Sequence, residues 1–312
     1  MRFTFEMKKL KYQGGITKLL MSRRGKRNKE RFANLSIDQL QAMVQRFEQR
    51  KVAMEVASLS STYDFYEQML SILSYQRFVG IPLAWTVYSD GTHTANEISK
   101  LETIFPYVKV VKIDFTDPLI VRENMRESFL PHFDWMLHFA QNTPYGKKLY
   151  YYLNHKIENP TLFIDSDILF YELASASFDK VKNEADVNGW YLPDQVWGCL
   201  DSGYKAKHGP YMYQVNSGFF LLNKELENVE IGLTYLNSLQ RKYENFAEQT
   251  VFHIILRENN FFPFDPRIFI LHSGDQFDFS YGFNKNAMAM RHYTGPVRHK
   301  MWQRDWKWQL SL

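Results

Sequence analysis

Several features that define common protein classes are scarce in this sequence of 312 residues. It contains one cysteine, Cys199, which excludes an intrachain disulfide framework and a zinc site built from several cysteines. No run of about 18 apolar residues occurs, so we expect no transmembrane helix. Residues 1–27 are basic throughout and hold no apolar run long enough for a signal peptide. These absences favour a reducing, intracellular compartment, and we expect the protein in the cytoplasm.

The glycine-rich loops that usually hold phosphates are also missing. None of the 15 glycines forms a G-x-G pair, which excludes the dinucleotide fingerprint, and the P-loop pattern G-x-x-x-x-G-K-[ST] does not occur. The metalloprotease pattern H-E-x-x-H and the hydrolase pattern G-x-S-x-G are absent as well. A phosphate ester bound by this chain would therefore need a metal ion, held by carboxylates, where other proteins use a glycine loop.

Positive charge is concentrated at the start of the chain. Residues 1–51 hold 14 Lys plus Arg against 4 Asp plus Glu, a balance of +10, whereas the remaining residues balance to −6. Such an arm is typical of a solvated tail or of a segment that docks on an anionic membrane, and we do not expect nucleic acid as its partner. Ser36 to Gln39 have capping-box spacing before apolar residues at helical intervals, which predicts a helix that packs on the body.

Strand and helix patterns alternate after residue 51. Apolar runs predict strands at 52–59, 83–88, 108–113 and 161–164, with helical patterns between them. This order predicts an α/β fold with a mainly parallel, twisted sheet covered by helices on both faces. We expect a basic helical arm over residues 1–51 and one α/β domain over 52–312. Ligands of such sheets bind beyond the carboxyl ends of the strands.

Two aspartates stand between apolar segments. Asp165-Ser166-Asp167 follows Leu162–Ile164 and precedes Ile168–Phe170, so both carboxylates should lie at a buried strand end. Uncompensated carboxylates there would cost several kcal/mol, and a bound cation is the simplest compensation. Carboxylate oxygens suit Mg²⁺ or Mn²⁺. The alternative is a polar turn whose carboxylates cap the next helix or pair with lysine.

Three segments together resemble glycosyltransferases of the GT-A fold, most closely the family-eight group. Residues 162–170 look like the metal-binding segment, residues 215–223 are similar to the strand that lines the sugar site, and residues 292–302 resemble the closing H-x-x-G-x-x-K-P-W segment. The last departs from the pattern, because two extra residues precede the lysine and Met301 replaces the proline. The resemblance covers roughly residues 52–305. It implies the Rossmann-like fold of nucleotide-diphospho-sugar transferases and transfer of a hexose from a nucleotide sugar, UDP-linked, to a glycan or glycolipid.

The resemblance also implies roles for individual residues. Asp165 and Asp167 would hold Mn²⁺ or Mg²⁺, with His292 as the third protein ligand. Lys300 would stabilise the leaving diphosphate, and the insertion makes Arg298 an alternative.

The other expected donor contacts lie at strand and helix ends. Asn216 and Gln249 are candidates to hydrogen-bond sugar hydroxyls, and with Lys300 they form the expected catalytic set. The expected contacts to base, ribose and phosphate are Ser58, Ser60, Tyr63, Asp90 and Lys148.

Several questions stay open at this point. The family-eight group retains anomeric configuration, and because Gln249 is a poor nucleophile we expect a same-face transfer; in an inverting alternative Asp194 or Asp275 would act as base. The aromatic-rich segment 189–213 is the expected acceptor region. The tail, with Trp302, Trp306 and Trp308, is expected to add a membrane contact to the arm. Two alternatives to catalysis are a silent relative that only binds sugar and a protein that binds anionic surfaces through residues 1–51.

Overall fold

The structure is a computed structural model that describes residues 15–47, 49–181, 187–194, 200–208, 213–272 and 284–310. Two helices, α1 (Gly15–Ala33) and α2 (Ile37–Arg46), precede the first strand. Ser36 and Gln39 form the predicted capping box at the start of α2. Leu40 is fully buried in the main core, so α2 packs on the body as expected. Phe32 is also fully buried there, so α1, which the sequence did not predict, packs on the body as well.

The described residues contain ten strands in two sheets. Their bounds are β1 Lys51–Ser60, β2 Ile81–Ser89, β3 Val108–Lys112, β4 Thr161–Asp165, β5 Ile168–Phe170, β6 Gly189–Asp194, β7 Gln214–Leu222, β8 Phe261–Pro263, β9 Phe269–Ile270 and β10 Met290–His292. The large sheet has the order β3-β2-β1-β4-β7-β6-β8. Strands β1 to β4 are parallel, whereas β7 is antiparallel to both β4 and β6. The mainly parallel sheet predicted from the sequence is confirmed.

Helices cover both faces of this sheet. Those after β1 are α3 Phe65–Phe78, α4 Ala95–Ile104, α5 Pro118–Glu123, α6 Phe133–Asn142, α7 Pro144–Asn154, α8 Ala174–Val181, α9 Ser202–His208, α10 Val229–Ser238, α11 Ala247–Glu258, the short α12 Arg298–Lys300 and α13 Trp306–Leu310. A π-helical turn, Met301–Asp305, separates the last two. Side chains of β4 alternate between two cores: Leu162 and Ile164 join α3 on one face, and Phe163 joins α7 and α11 on the other.

The small sheet places the end of the chain beside the Asp-Ser-Asp turn. Its order is β5-β10-β9, and His292 of β10 pairs with Ile168 of β5. The backbone N–H of Tyr293 donates to the carbonyl of Asp167 at 2.8 Å. Residues more than a hundred positions apart in the chain are thereby held at one edge of the large sheet.

Two of the three tail tryptophans expected at a membrane are buried inside the protein. Trp302 and Trp306 are buried in the main core. Trp302 packs against Phe32 of α1 with ring centroids 5.3 Å apart, and its indole N–H donates to Glu67 at 2.7 Å. Because α1 covers this segment, these two rings stabilise the fold. No helix of the described residues is both long and apolar enough to span a membrane.

Candidate active site

Three side chains that suit a divalent cation meet at the end of β4. His292 Nε2 lies 3.1 Å from an oxygen of Asp167 and 3.6 Å from an oxygen of Asp165. One ligand atom from each of the three lies within 4.8 Å of the others. Asp167 and His292 are buried, whereas the Asp165 side chain is 31% exposed. Two carboxylates and one imidazole can hold Mn²⁺ or Mg²⁺ and leave coordination positions open toward the exposed side.

The floor of this cluster is a glycine of β7. A Cβ built on Gly218 would lie 2.5 Å from an oxygen of Asp165 and 2.5 Å from Cε1 of His292. Only glycine therefore lets this strand pass beneath the two ligands. The donor set and this close backbone approach both fit the ion that the sequence predicts.

The charge state of Asp167 also suits a metal ligand. Burial alone would raise its pKa, but the charges of a protonated His292 and of Arg298, with their hydrogen bonds, hold the pKa below its ordinary value. A bound cation would take the place of the imidazolium charge, because His292 coordinates a metal only as neutral imidazole. The carboxylate is thus ionised and able to coordinate a cation near neutral pH.

Arg298, and not Lys300, reaches this cluster. The Arg298 guanidinium donates to Asp167 at 2.6 and 3.1 Å and to Asp64 at 2.8 Å. Lys300 has no exposed surface and is not among the residues that line the cavity. Arg298 and Lys300 are two residues apart on α12, so their side chains point about 200° away from each other around the helix axis. Only one of them can therefore face the cluster.

A second charged group lies beside Asp165. Lys148 of α7 is buried, and its ammonium lies 2.7 Å from Asp165 and 3.5 Å from Glu248. The Ser217 hydroxyl donates to Glu248 at 2.9 Å. Burial raises the pKa of Glu248, while the charges of Asp165 and Glu248 outweigh burial and raise the pKa of Lys148. Lys148 therefore stays charged and links the carboxylate of Asp165 to that of Glu248.

The cluster forms one wall of a cavity of about 840 Å³. The predicted sugar contacts Asn216 and Gln249 line this cavity, together with Asp194. The side-chain amides of Asn216 and Gln249 donate to the same oxygen of Asp194 at 3.3 and 3.5 Å. Two amides and one carboxylate thus point into the space beside the candidate metal ligands.

The residues expected to bind the base and ribose lie outside this cavity. Ser58 is fully buried, and its hydroxyl accepts a hydrogen bond from Trp85 at 2.9 Å, so it serves the core. Ser60 is buried at the end of β1. Tyr63 is 76% exposed, and the Asp90 carboxylate accepts from the backbone and hydroxyl of Thr92.

The rim of the cavity contains aromatic residues that the sequence did not single out. Tyr145 and Phe246 line it and are 48% and 39% exposed. Tyr145 lies three residues before Lys148, and Phe246 lies three residues before Gln249. This spacing, which puts each aromatic near a predicted site residue, was the only signal in the sequence. In the expected acceptor region, Tyr191 and Tyr204 are buried in the core. Trp197, Tyr211 and Asp275 lie outside the described residues.

Comparisons with known proteins identify the fold. No protein-family model and no curated protein sequence matches this chain. The structure is similar to that of the galactosyltransferase LgtC in complex with donor and acceptor sugar analogs, with 11% identity over 82% of this chain and 100% of LgtC and a TM-score of 0.51. LgtC has also been solved as an active-site variant with glutamine replaced by glutamate, and this structure has a TM-score of 0.50.

Two further structures have the same fold. Mouse xyloside xylosyltransferase 1 shares 12% identity over 80% of this chain and 99% of its own, with a TM-score of 0.50. The bifunctional glycosyltransferase WbbM shares 12% identity over 83% of this chain and 50% of its own, with a TM-score of 0.52. The chain therefore has the GT-A glycosyltransferase fold, which confirms the fold that the sequence motifs predicted.

Proposed function

We propose that this protein is a metal-dependent glycosyltransferase that moves a hexose from a nucleotide sugar, UDP-linked, to a glycan or glycolipid. The observation that supports this most strongly is the Asp165, Asp167 and His292 cluster above Gly218, at the wall of a large cavity in a GT-A fold. A bound Mn²⁺ or Mg²⁺ supplies Lewis-acid neutralisation of the diphosphate that departs from the sugar. Asp165, Asp167 and His292 would hold this ion from the protein side.

In this proposal Arg298 replaces the lysine of the family pattern. Its guanidinium lines the cavity, and two of its five N–H donors remain for diphosphate oxygens after three have bonded Asp167 and Asp64. A fixed cation there stabilises charge on the leaving group without reorganising during the reaction. Lys148 pairs with one carboxylate oxygen of Asp165 while His292 lies near the other, and this ion pair keeps the carboxylate oriented.

Asn216 and Gln249 would hydrogen-bond the sugar. Neither amide is a nucleophile, so we propose transfer on one face of the sugar with retention, in which the departing phosphate accepts the proton of the acceptor hydroxyl. The inverting alternative would use Asp194 as base, since both amides orient its carboxylate in the cavity. The exposed rings of Tyr145 and Phe246 at the rim offer flat apolar surfaces to the face of an acceptor sugar.

Calorimetric titration with UDP and with GDP, each with and without Mn²⁺, tests this function. We expect a nucleotide to bind only with the metal and Asp167→Asn to abolish both binding and transfer. Asp134→Asn is the matched control, because this exposed aspartate of α6 lies outside the cavity. Turnover that continues unchanged in excess EDTA would contradict the proposal.

One observation favours a second candidate, a silent relative that binds a nucleotide sugar without transfer. The lysine of the closing motif is buried away from the cavity. Release of free sugar from the donor, measured without acceptor, separates the two functions, because only the active enzyme hydrolyses its donor.

We further propose that the outward face of α1 docks on an anionic membrane. Arg24, Lys26, Arg27 and Arg31 are exposed there, and Ile16 and Leu20, near the start of the same helix, are 62% and 49% exposed. Basic and apolar side chains on one helix favour lipid headgroups over nucleic acid.

A further inference from the structure

The inner face of α1 holds the segment that carries Arg298. Asn28 is buried, and its amide donates to the backbone carbonyls of Trp302 at 2.9 Å and Gln303 at 3.2 Å. Gly25 packs so closely that an added Cβ would lie 2.8 Å from the carbonyl oxygen of His299. Both contacts are to backbone atoms, so they fix the path of residues 299–303 immediately after Arg298.

The same helix also contacts the segment that carries Asp64. The Lys29 ammonium donates to the carbonyl of Tyr63 at 3.1 Å and forms an ion pair with Glu67 at 2.6 Å. Asp64, the next residue after Tyr63, is the second partner of Arg298 at 2.8 Å. Helix α1 therefore touches both segments that the Asp64–Arg298 ion pair joins.

Glu67 connects the two sets of contacts. Its carboxylate accepts from Lys29 of α1 and from the indole N–H of Trp302, at 2.8 and 2.7 Å to the same oxygen. Gly25, Asn28 and Lys29 are spaced by three and four residues, so they share one face of α1. A shift of this helix would therefore move the Arg298 segment and the Asp64 segment together.

We propose that helix α1 is a brace for the donor site, and that Gly25, Asn28 and Lys29 are positioning residues that set where Arg298 and Asp64 lie. The inference rests on the proposed function in one respect, the assignment of the cavity to a nucleotide diphosphate. A guanidinium displaced by about 1 Å binds a diphosphate poorly, which gives a helix outside the cavity control over donor affinity.

Two variants disturb the brace by different means. Asn28→Asp replaces a donor with a carboxylate that faces two carbonyl oxygens, and Gly25→Ala presses a methyl group on His299. Glu30→Ala is the control, because Glu30 is exposed on the same helix. The clash with the His299 backbone lowers the melting temperature of Gly25→Ala whatever the role of the helix, so the melting temperature serves only to show that the variant folds.

Hydrogen exchange and calorimetry give two readouts. We expect both variants to speed exchange in peptides that cover residues 61–67 and 294–303, with the large sheet unchanged. We also expect roughly five-fold to fifty-fold weaker binding of the nucleotide, UDP or GDP, with Mn²⁺, and a raised donor KM at unchanged acceptor KM. Asn28→Gln, which keeps the amide donor, should restore part of the affinity.

The outcomes separate the brace from the proposed function. Unchanged exchange in both segments, or unchanged nucleotide affinity in both variants, overturns the brace. Exchange that rises equally over the whole chain also overturns it, because it shows a stabilising helix without a positioning role. A native chain that binds neither UDP nor GDP with Mn²⁺ overturns the proposed function, and with it the assignment of the braced cavity to a nucleotide.

Discussion

Gly218 shows how one hydrogen atom in place of a methyl group can decide whether a cation binds. In the described structure the strand β7 passes directly beneath Asp165 and His292 at this residue. A larger side chain would push both ligands apart, while the strand itself would tolerate it, since alanine is at least as compatible with β structure as glycine.

We expect Gly218→Ala to weaken Mn²⁺ binding by roughly ten-fold or more while the fold is kept, because the methyl would lie within 2.5 Å of both ligands. Calorimetric titration with Mn²⁺ and circular dichroism measure the two effects. Gly295→Ala is the control for metal affinity, since a Cβ at that position meets no atom within 4 Å. Equal Mn²⁺ affinity in the two variants would contradict the assigned role of Gly218.

Arg298 and Lys300 should respond differently to substitution. Arg298→Ala removes the guanidinium from the cavity and should lower kcat roughly 10²-fold to 10³-fold, with weaker nucleotide binding. Lys300→Met should instead lower the free energy of unfolding, by roughly 1–3 kcal/mol, because Lys300 is wholly buried and methionine cannot replace the interactions of its ammonium. Steady-state kinetics and urea unfolding of both variants check this. If only Lys300→Met loses activity, Lys300 and not Arg298 stabilises the leaving group, as in the family pattern.

At the scale of elements, the sequence predicted what depends on local pattern. The capping box at Ser36 and strands β1 to β4 were visible because caps and buried parallel strands have characteristic residues at short spacing. The antiparallel direction of β7 left no such signal. Its direction depends on pairing with β4, which lies about fifty residues away in the chain.

The tail and the closing segment needed long-range contacts to be understood. Alternating tryptophan and basic residues resemble a membrane-interface tail, yet Trp302 is buried because Phe32 and Glu67, more than 200 residues earlier, cover it. The sequence left two candidates, Lys300 and Arg298, for the cation beside the cluster. The orientation of the three-residue helix α12 decided between them, and sequence periodicity cannot reveal an orientation that packing sets.

Helix α11 contains a histidine that should make stability depend on pH. His253 has no exposed surface, and burial, with the charges of Arg257 and His208, lowers its pKa from 6.5 to about 3. As the pH falls, His253 therefore becomes protonated near pH 6.5 in the unfolded chain but only near pH 3 in the folded chain. Its contribution is fully present above pH 6.5 and is lost as the pH falls toward 3.

Replacing this histidine should reduce the acid sensitivity. His253→Gln stays neutral and can still accept from the backbone N–H of Val215, which donates to His253 Nδ1 at 3.2 Å. Between pH 7 and pH 4 we expect the native chain to lose roughly 3 kcal/mol more unfolding free energy than the variant, measured by urea titration. His138→Gln on α6 is the control. The same loss in native chain and His253→Gln would contradict the role of His253.

Across the whole molecule, helix α1 serves two surfaces. Its inner face contacts the segments that carry Arg298 and Asp64, whereas its outer face presents four of the 14 basic residues of the first 51 positions. Because one rigid helix forms both faces, a membrane that binds the outer face would also order the inner contacts. Membrane docking and donor affinity should then rise together.

Replacing Arg24, Lys26, Arg27 and Arg31 with glutamine tests the outer face. Each basic residue near an anionic surface contributes about 1 kcal/mol, so the quadruple variant should bind phosphatidylglycerol vesicles roughly 10²-fold to 10³-fold more weakly than the native chain. Vesicle co-sedimentation measures this, and binding of the native chain should fall steeply between roughly 0.1 and 0.5 M salt. A variant with the same charge change elsewhere, on the exposed Lys109, Lys112, Lys224 and Lys242, should bind almost as the native chain does. If both variants lose affinity equally, the net charge of the protein and not this helix face governs the attraction. If the native chain does not bind vesicles but binds RNA, the partner of this face is nucleic acid and not a membrane.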